Sequence, residues 1–300
     1  MTRRIALLVN PTAGGGRGAR EGVAAAIRLR EHGLLVDEMA GADADGAVRL
    51  ARRAVGDDYD AVVAVGGDGM LNLVLQAVAG SGTPLGLIPA GSGNDFSRLL
   101  GLVPHDPLAA ADVVAAGAVR TIDAARAGER WYAGVLSSGF DSNVNERANA
   151  MSWPKGRMRY NLAILAELRV FRAVPFRVEL DDDPLEALEQ EAMLVAVGNG
   201  SSYGGGMKVC PGALVDDGLL QVTVLGRISK PEFLRVFPRV YKGTHIEHPA
   251  VSVHAARTVS LHAPGAVAYA DGERLGPLPV HIECVPGAVQ MLAPRGAAVA

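Results

Sequence analysis

Apolar residues fall along this chain in two rhythms. Up to about residue 120, short apolar runs at 5–9, 61–65 and 85–88 alternate with segments at 20–32, 47–55 and 71–79, where apolar positions recur every three to four residues. Short runs bounded by turn residues predict strands buried on both faces, and the longer period predicts helices. Strands alternating with helices imply a parallel sheet covered on both sides. Beyond residue 121 the rhythm changes. The segments 131–136, 176–180, 193–197, 219–225, 258–262 and 280–285 are strand-like, with Gly, Pro, Asp and Asn between them, and predict an antiparallel β-sandwich. One helix-like segment, 157–172, interrupts them, and 181–184 reads as a turn.

The expected organisation is therefore an α/β layered domain over 1–121, a β-sandwich domain over 122–285, and a tail over 286–300 that returns to the first domain. Three hundred residues suit two cores better than one. A net charge of −3 excludes a chain-wide positive field, and with it the usual means of holding nucleic acid. Two cysteines, Cys210 and Cys284, without CxxC spacing argue against a disulfide framework or a zinc site and favour a reducing cytoplasm. The basic start Thr2-Arg3-Arg4 followed by an apolar run imitates a signal peptide. That run ends at once in Asn10-Pro11, so a first strand explains it better. No stretch approaches the roughly 18 apolar residues of a membrane span.

Candidate chemistry lies where each N-terminal strand ends. Asn10-Pro11-Thr12-Ala13-Gly14-Gly15-Gly16-Arg17-Gly18, Gly66-Gly67-Asp68-Gly69 and Pro89-Ala90-Gly91-Ser92-Gly93-Asn94-Asp95 each join a strand to a helix. In a parallel sheet these loops share the carboxyl edge, where ligands bind. Glycine lets backbone N–H groups approach a phosphate, and each following helix presents its positive end. A single such loop is as readily a tight turn; three on one edge point to a phosphorylated ligand. No Gly-Lys-Ser/Thr phosphate loop is present. Gly14, Gly16 and Ala19, with Asp37 and Glu38 some twenty residues on, fit a loose dinucleotide fingerprint, so an NAD(H)-binding oxidoreductase is a rival reading. That reading leaves the second and third loops without a task.

Taken together, these loops resemble the diacylglycerol kinase catalytic domain family, to which sphingosine and ceramide kinases are related. The resemblance continues through Ser138-Gly139-Phe140-Asp141, Gly198-Asn199-Gly200, Tyr203-Gly204-Gly205-Gly206, Asp217-Gly218-Leu219 and Asp271-Gly272-Glu273, and so spans nearly the whole chain in order. It implies a nucleotide domain, a β-sandwich second domain and an active site in the cleft between them. It also implies ATP contacts from Asn10, Pro11, Thr12, Ala13 and Gly14, from Gly66, Gly67, Asp68, Gly69, Met70, Leu71 and Asn72, and from Ser92 and Asn94. Family members commonly carry threonine where this chain has Met70 and Ser92, and another near residue 40, where Ala40-Gly41 stands.

A carboxylate among phosphate-binding amides calls for a cation, which makes Asp68 the candidate to organise Mg²⁺; capping of the following helix is the alternative. Asp-Gly alone signals a hairpin turn, but the resemblance places a general base at Glu273, with Asp271 orienting it or binding metal. It further implies a structural magnesium held by Leu214, Asp217 and Leu219. His245 and His248 lack HExxH spacing and imply no metal. The acceptor is expected to be a lipid hydroxyl, diacylglycerol first, giving phosphatidic acid. A sphingoid base, phosphatidylglycerol or another polar lipid is the alternative with the same chemistry, and a catalytically silent lipid-binding module the more distant one. Such a protein would be cytoplasmic and touch the membrane peripherally. The segments 153–172 (Trp153, Lys155, Arg157, Arg159, Arg169, Arg172) and 227–242 (Lys230, Arg235, Arg239) carry the basic and aromatic residues for it. A homodimer is left open.

Overall fold

The computed structural model describes residues 2–153 and 157–295; Lys155, the Arg157 side chain and residues 296–300 of the expected tail lie outside the described residues. The N-terminal half runs β1 (Arg4–Val9), α1 (Ala13–Glu31), β2 (Leu35–Met39), α2 (Ala44–Gly56), β3 (Ala61–Gly66), α3 (Asp68–Val78), β4 (Leu85–Pro89), α4 (Asp95–Leu99) and α5 (Pro107–Ala116). Its strands are parallel in the order β2-β1-β3-β4. Alternate residues of each strand face opposite ways. Ile5, Leu7, Val63 and Val65 accordingly meet Ala25, Ala26 and Leu29 of α1 with Ala110 and Val114 of α5, while Ala6, Leu8, Val62 and Ala64 meet α2 and α3. Asp43 caps α2 through the Gly46 N–H at 2.7 Å, and Asp106 caps α5 through Ala109 at 2.9 Å, with Pro107 in the first turn.

The C-terminal half runs β5 (Val119–Ala127), β6 (Arg130–Tyr132), β7 (Val135–Gly139), α6 (Phe140–Ala150), α7 (Arg157–Val170), β8 (Val174–Leu180), β9 (Asp183–Gly198), β10 (Leu220–Gly226), α8 (Lys230–Val236), β11 (Val251–Ala256), β12 (Thr258–His262), β13 (Val267–Ala270), β14 (Glu273–Pro277) and β15 (Val280–Leu292). These strands pair antiparallel and enclose a core of Leu136, Phe176, Val195, Val222, Val259 and Ile282. Helices α6, α7 and α8 lie outside it around Phe140, Phe171 and Phe233.

The two halves share strands. β5 and β15 pair from Ala127↔Ile282 to Val119↔Leu292, interrupted by a bulge between Val285 and Val289. Met291 also pairs with Leu85, so β15 extends the parallel sheet beyond β4. The division expected at 121/122 thus falls within β5, and that at 285/286 within β15. Asp123, buried at 4% exposure, holds the bulge: it accepts from Gly287 N–H at 2.8 Å and from Gly218 N–H at 2.7 Å.

The single strand expected at 131–136 is two, β6 and β7, because the chain bends at Ala133-Gly134 around the Asp271 carboxylate. A Cβ on Gly134 would lie 2.5 Å from Asp271 Oδ1. The expected turn at 181–184 is the β8–β9 hairpin, with Asp181 and Asp182 both left-handed at φ 50° and 58°. Strand β2 and helices α4, α5 and α6 carry no marked sequence rhythm.

Candidate active site

The three glycine loops meet at the carboxyl edge of β1, β3 and β4. After β1, Asn10 Oδ1 accepts from the Thr12 N–H at 3.1 Å and the Thr12 hydroxyl at 2.9 Å, closing a small turn. Gly14, Gly15 and Gly16 follow at φ 59°, 74° and 97°. A side chain at Gly14 would sit 2.3 Å from the Ala90 carbonyl oxygen, so the first loop packs on the third by lacking one. The second and third loops touch in the same way: a Cβ on Gly91 would lie 2.3 Å from Gly67 Cα. Helix α3 begins at Asp68 without a side-chain cap, leaving its first N–H groups open to the cleft.

The resulting cleft is lined by Asn10, Ala13, Gly14, Gly67, Asp68, Gly69, Met70, Ser92 and Glu273, all candidates from the sequence, by Gly91 and Gly93 of the third glycine loop, and by Ala44 and Leu73, which carried no sequence signal. Its floor is backbone without Cβ atoms, a fit for phosphate groups. Pro11, Thr12 and Gly66 do not line it. Leu71 faces the cavity on the other side of α3.

Two expected nucleotide ligands have other tasks. The Asn94 amide is 3% exposed, with its oxygen accepting from Gly91 N–H at 3.0 Å and its nitrogen donating to the Gly91 carbonyl at 2.9 Å. It braces the third loop from inside. Asn72, also buried, donates to Asp271 Oδ2 at 3.3 Å and so ties α3 to the second half.

Asp68 does not cap its own helix. Its Oδ1 accepts from the Phe96 N–H at 3.1 Å, at the start of α4. Its Oδ2 reaches over Gly93, where a Cβ would stand 2.7 Å away. Burial pushes the Asp68 carboxyl above its ordinary range, and neighbouring Asp95 adds to the shift. Asp95 in turn accepts from Arg98 at 2.6 Å and from the Gly205 N–H at 2.7 Å, bridging to the Tyr203–Gly206 turn of the other half.

Asp271 and Gly272 form the two-residue turn between β13 and β14, at φ 50° and 84°. The hairpin signal is thus correct, and this turn brings Glu273 to the lining of the cleft. The Asp271 carboxylate accepts from Ala133, Gly134 and Val135 N–H groups at 3.0, 3.0 and 3.1 Å besides Asn72. Both its oxygens are engaged, so Asp271 positions the turn rather than offering a metal ligand. Burial pushes it up to about 6 against those donors.

At the expected structural-metal position, Asp217 Oδ1 accepts from the Leu219 N–H at 3.0 Å, and Leu214 and Asp217 are exposed. Among the described residues no cluster of three acidic, His or Cys side chains could hold a metal, so a cation there would depend on backbone carbonyls. The acids of the dinucleotide fingerprint are occupied elsewhere: Asp37 accepts from the Tyr59 hydroxyl at 2.6 Å and from Arg4 at 3.0 Å, and Glu38 pairs with Arg30 at 2.9 Å.

Asp68, Ser92 and Gly93 also line a second, deeper cavity of about 300 Å³, walled by Leu71, Phe96, Leu99, Asp141, Tyr160, Tyr203 and Tyr269 among others. Its signal in the sequence was slight: Asp141 and Tyr203 fall in glycine-bearing segments, while Tyr160 looks like any amphipathic-helix residue. The arrangement is two compartments, one floored by glycine and one largely apolar, meeting at a carboxylate. That geometry suits transfer of a phosphoryl group from a nucleotide to an apolar acceptor.

Residues 4–127 match the model of the diacylglycerol kinase catalytic domain, and residues 134–293 that of the YegS C-terminal NAD kinase beta sandwich-like domain. A diacylglycerol kinase from Mycobacterium tuberculosis (strain H37Rv) is 44% identical over 297 residues, covering 97% of this chain and 96% of that one. One from Staphylococcus aureus (strain Newman) is 28% identical and covers 98% and 94%. The crystal structure of a diacylglycerol kinase from Bacillus anthracis superposes with a TM-score of 0.74 over 99% of this chain and 98% of that one. At 21% identity this is a likeness of fold.

Two outcomes are expected. In Gly93→Ala the added methyl displaces Asp68, lowering turnover on the order of tenfold to a hundredfold while the melting temperature changes little; steady-state kinetics beside a thermal melt check it. Because Asp271 lies at about 6 in the folded chain against 3.8 ordinarily, folding binds a proton between those values. Its stabilising contribution is full below the lower value and is lost as pH rises through the upper. Denaturation midpoints of wild type should therefore fall relative to Asp271→Asn across that window.

Proposed function

The chain belongs to the diacylglycerol kinase family and is a lipid kinase, and from that premise we propose that it transfers the γ-phosphoryl group of ATP to the free hydroxyl of diacylglycerol, giving phosphatidic acid. The observation that carries this reading is the pair of compartments joined at Asp68. Glu273 lines the nucleotide side of the junction, and the largely apolar cavity opens from the other.

Transfer requires the phosphates to be neutralised, the hydroxyl to be aligned with the breaking bond, and its proton to be removed. The glycine-floored cleft and the open end of α3 meet the first need in part. Asp68, whose carboxylate is desolvated beside Asp95, fits a cation, and Mg²⁺ there would neutralise phosphate charge and lower the cost of its own burial. Glu273 accepts the hydroxyl proton as the oxygen bonds to the γ-phosphorus and the bond to ADP breaks. The Met70 side chain in the cleft wall brings no hydrogen-bond donor, so nucleotide binding rests on backbone N–H groups with the Asn10 amide and the Ser92 hydroxyl.

The acceptor reaches the cavity from a membrane surface. Among the described residues no helix is long and apolar enough to cross a membrane. Helix α7, whose Tyr160 lines the cavity, exposes Met158, Leu162 and Leu165 on one face, the last 57% accessible, with Trp153 preceding it at 77%. Exposed Arg169 and Arg172 flank this stripe, and the segment's acid, Glu167, is buried against Arg147 at 2.7 Å. An apolar stripe edged by cations supports docking on an anionic bilayer. The second basic segment contributes less, since Arg227 pairs with Glu191 and Arg239 with Glu247, each at 2.7 Å.

With radiolabelled ATP and micellar diacylglycerol, label should enter the lipid in wild type. It should fall about a hundredfold or more in Glu273→Gln and likewise in Asp68→Ala. Labelled lipid undiminished in both variants would remove these residues from the mechanism, and NAD binding without ATP binding would restore the oxidoreductase reading. In vesicle sedimentation, Leu162→Ser/Leu165→Ser should lower recovery on anionic vesicles severalfold; recovery equal to wild type would count against α7 as the docking face.

A further inference from the structure

Glu273 is the first residue of an edge strand. Among the described residues β14 pairs with β13 alone, through a ladder whose register shifts between Ala268 and Tyr269. A single irregular ladder leaves such a strand free to twist. Asp271 pins the turn before it, and something else must hold the strand after it. Successive side chains on a strand point to opposite faces, so while Glu273 lines the cleft, Arg274 reaches α6 instead. There its Nε donates to Glu146 Oε1 at 2.7 Å, and the Tyr269 hydroxyl donates to the same oxygen at 2.9 Å. Tyr269 stands opposite Arg274 on β13 and lines the deep cavity. One carboxylate thus clamps a cross-strand pair, and with it both strands of the hairpin. The Arg274 guanidinium first, and then the Tyr269 hydroxyl, hold the Glu146 carboxyl below its ordinary range.

The anchor behind this clamp is firm. Phe140, Val144 and Ala148 seat α6 in the apolar cluster with Phe171 and Phe233, and Arg147 bonds to the buried Glu167 of α7 at 2.7 Å. Glu146 lines neither the cleft nor the deep cavity. Its side chain is 43% exposed and that of Arg274 52%, and an ion pair so open to water adds little to stability. Aim is a different matter, because displacing a reacting group by about 1 Å can slow transfer on the order of a hundredfold. We propose that Glu146 is a positioning residue for the transfer step, holding Arg274 and Tyr269 so that Glu273 faces the acceptor hydroxyl. This deepens the kinase reading above and rests on Glu273 as its base.

The test measures kcat, and KM for ATP and for micellar 1,2-dioctanoylglycerol, in Glu146→Ala, Glu146→Gln, Arg274→Ala, Glu146→Ala/Arg274→Ala and Glu146→Ala/Glu273→Gln. Glu146→Ala and Arg274→Ala should each lower kcat about tenfold with the melting temperature unchanged. Both KM values should stay within about twofold of wild type. Glu146→Ala/Arg274→Ala should be no slower than either single variant, because the two side chains act as one contact. Glu146→Gln keeps an acceptor oxygen for both donors and should recover most of the lost kcat. In the Glu273→Gln background, Glu146→Ala should bring no further loss, a result that general loosening of the fold would not give. Wild-type kcat in Glu146→Ala overturns the assignment, as do losses that multiply in either double variant or a Glu146→Gln as slow as Glu146→Ala. A raised KM for dioctanoylglycerol at unchanged kcat overturns it in favour of a role in the cavity through Tyr269. Wild type that phosphorylates no lipid overturns the kinase reading itself, whereas a loss in Glu273→Gln without one in Glu146→Ala overturns the positioning role alone.

Discussion

The Asp271 carboxylate gathers three separated pieces of chain at one point. Its acceptors are met by the backbone of Ala133, Gly134 and Val135, between β6 and β7, and by the Asn72 amide on α3. Gly134 has no side chain because the carboxylate occupies that space. The hairpin carrying Glu273 is thereby locked against the nucleotide domain from which Asp68 projects. With that tie, and with β13 paired to β7 and Arg274 bonded to Glu146 at 2.7 Å, Glu273, exposed at the start of β14, stands over the cleft. The contact pays an electrostatic cost, visible in the raised Asp271 carboxyl, and offsets it with four donors.

A second constraint keeps the halves from moving as beads on a string. β5 and β15 are long enough to belong to both, and β15 adds itself to the parallel sheet beside β4. The bulge that lets β15 change company is pinned by buried Asp123. The cleft is thus bounded by a continuous sheet on one side and by two polar bridges, Asn72–Asp271 and Asp95–Gly205, on the other. A rigid frame of this kind holds two substrates in register for direct transfer.

Negative charge is concentrated at the junction. Burial raises the Asp68 and Asp271 carboxyls, and a neighbouring carboxylate adds to each shift, Asp95 to that of Asp68 and Asp68 to that of Asp271. Such crowding is stable only with internal donors, which Phe96, Arg98 and Gly205 supply, and it leaves the site favourable to a cation arriving with a polyphosphate. Placement of a carboxylate where charge must be neutralised is the common physical thread between the fold's strain and its chemistry.

Much of this was legible in the sequence. Period and run length marked β1, β3 and β4 and their helices because burial on a sheet face imposes them locally, and the three glycine loops announced the cleft because only glycine permits their backbones to touch. Asp271-Gly272 announced its turn for the same reason. What pattern left hidden depends on contacts distant in the chain. That 121 and 285 lie within shared strands follows from β5 meeting β15 across more than 150 residues. That Asn94 and Asn72 brace rather than bind, that Asp68 tethers α4 instead of capping α3, and that Asp141, Tyr160 and Tyr203 share one wall are likewise decided by which partner each polar atom finds once folded. Composition and spacing determine what a segment can be, since those forces act between neighbours. Which donor satisfies which buried acceptor is settled only by tertiary packing, because the competing partners come from everywhere in the chain.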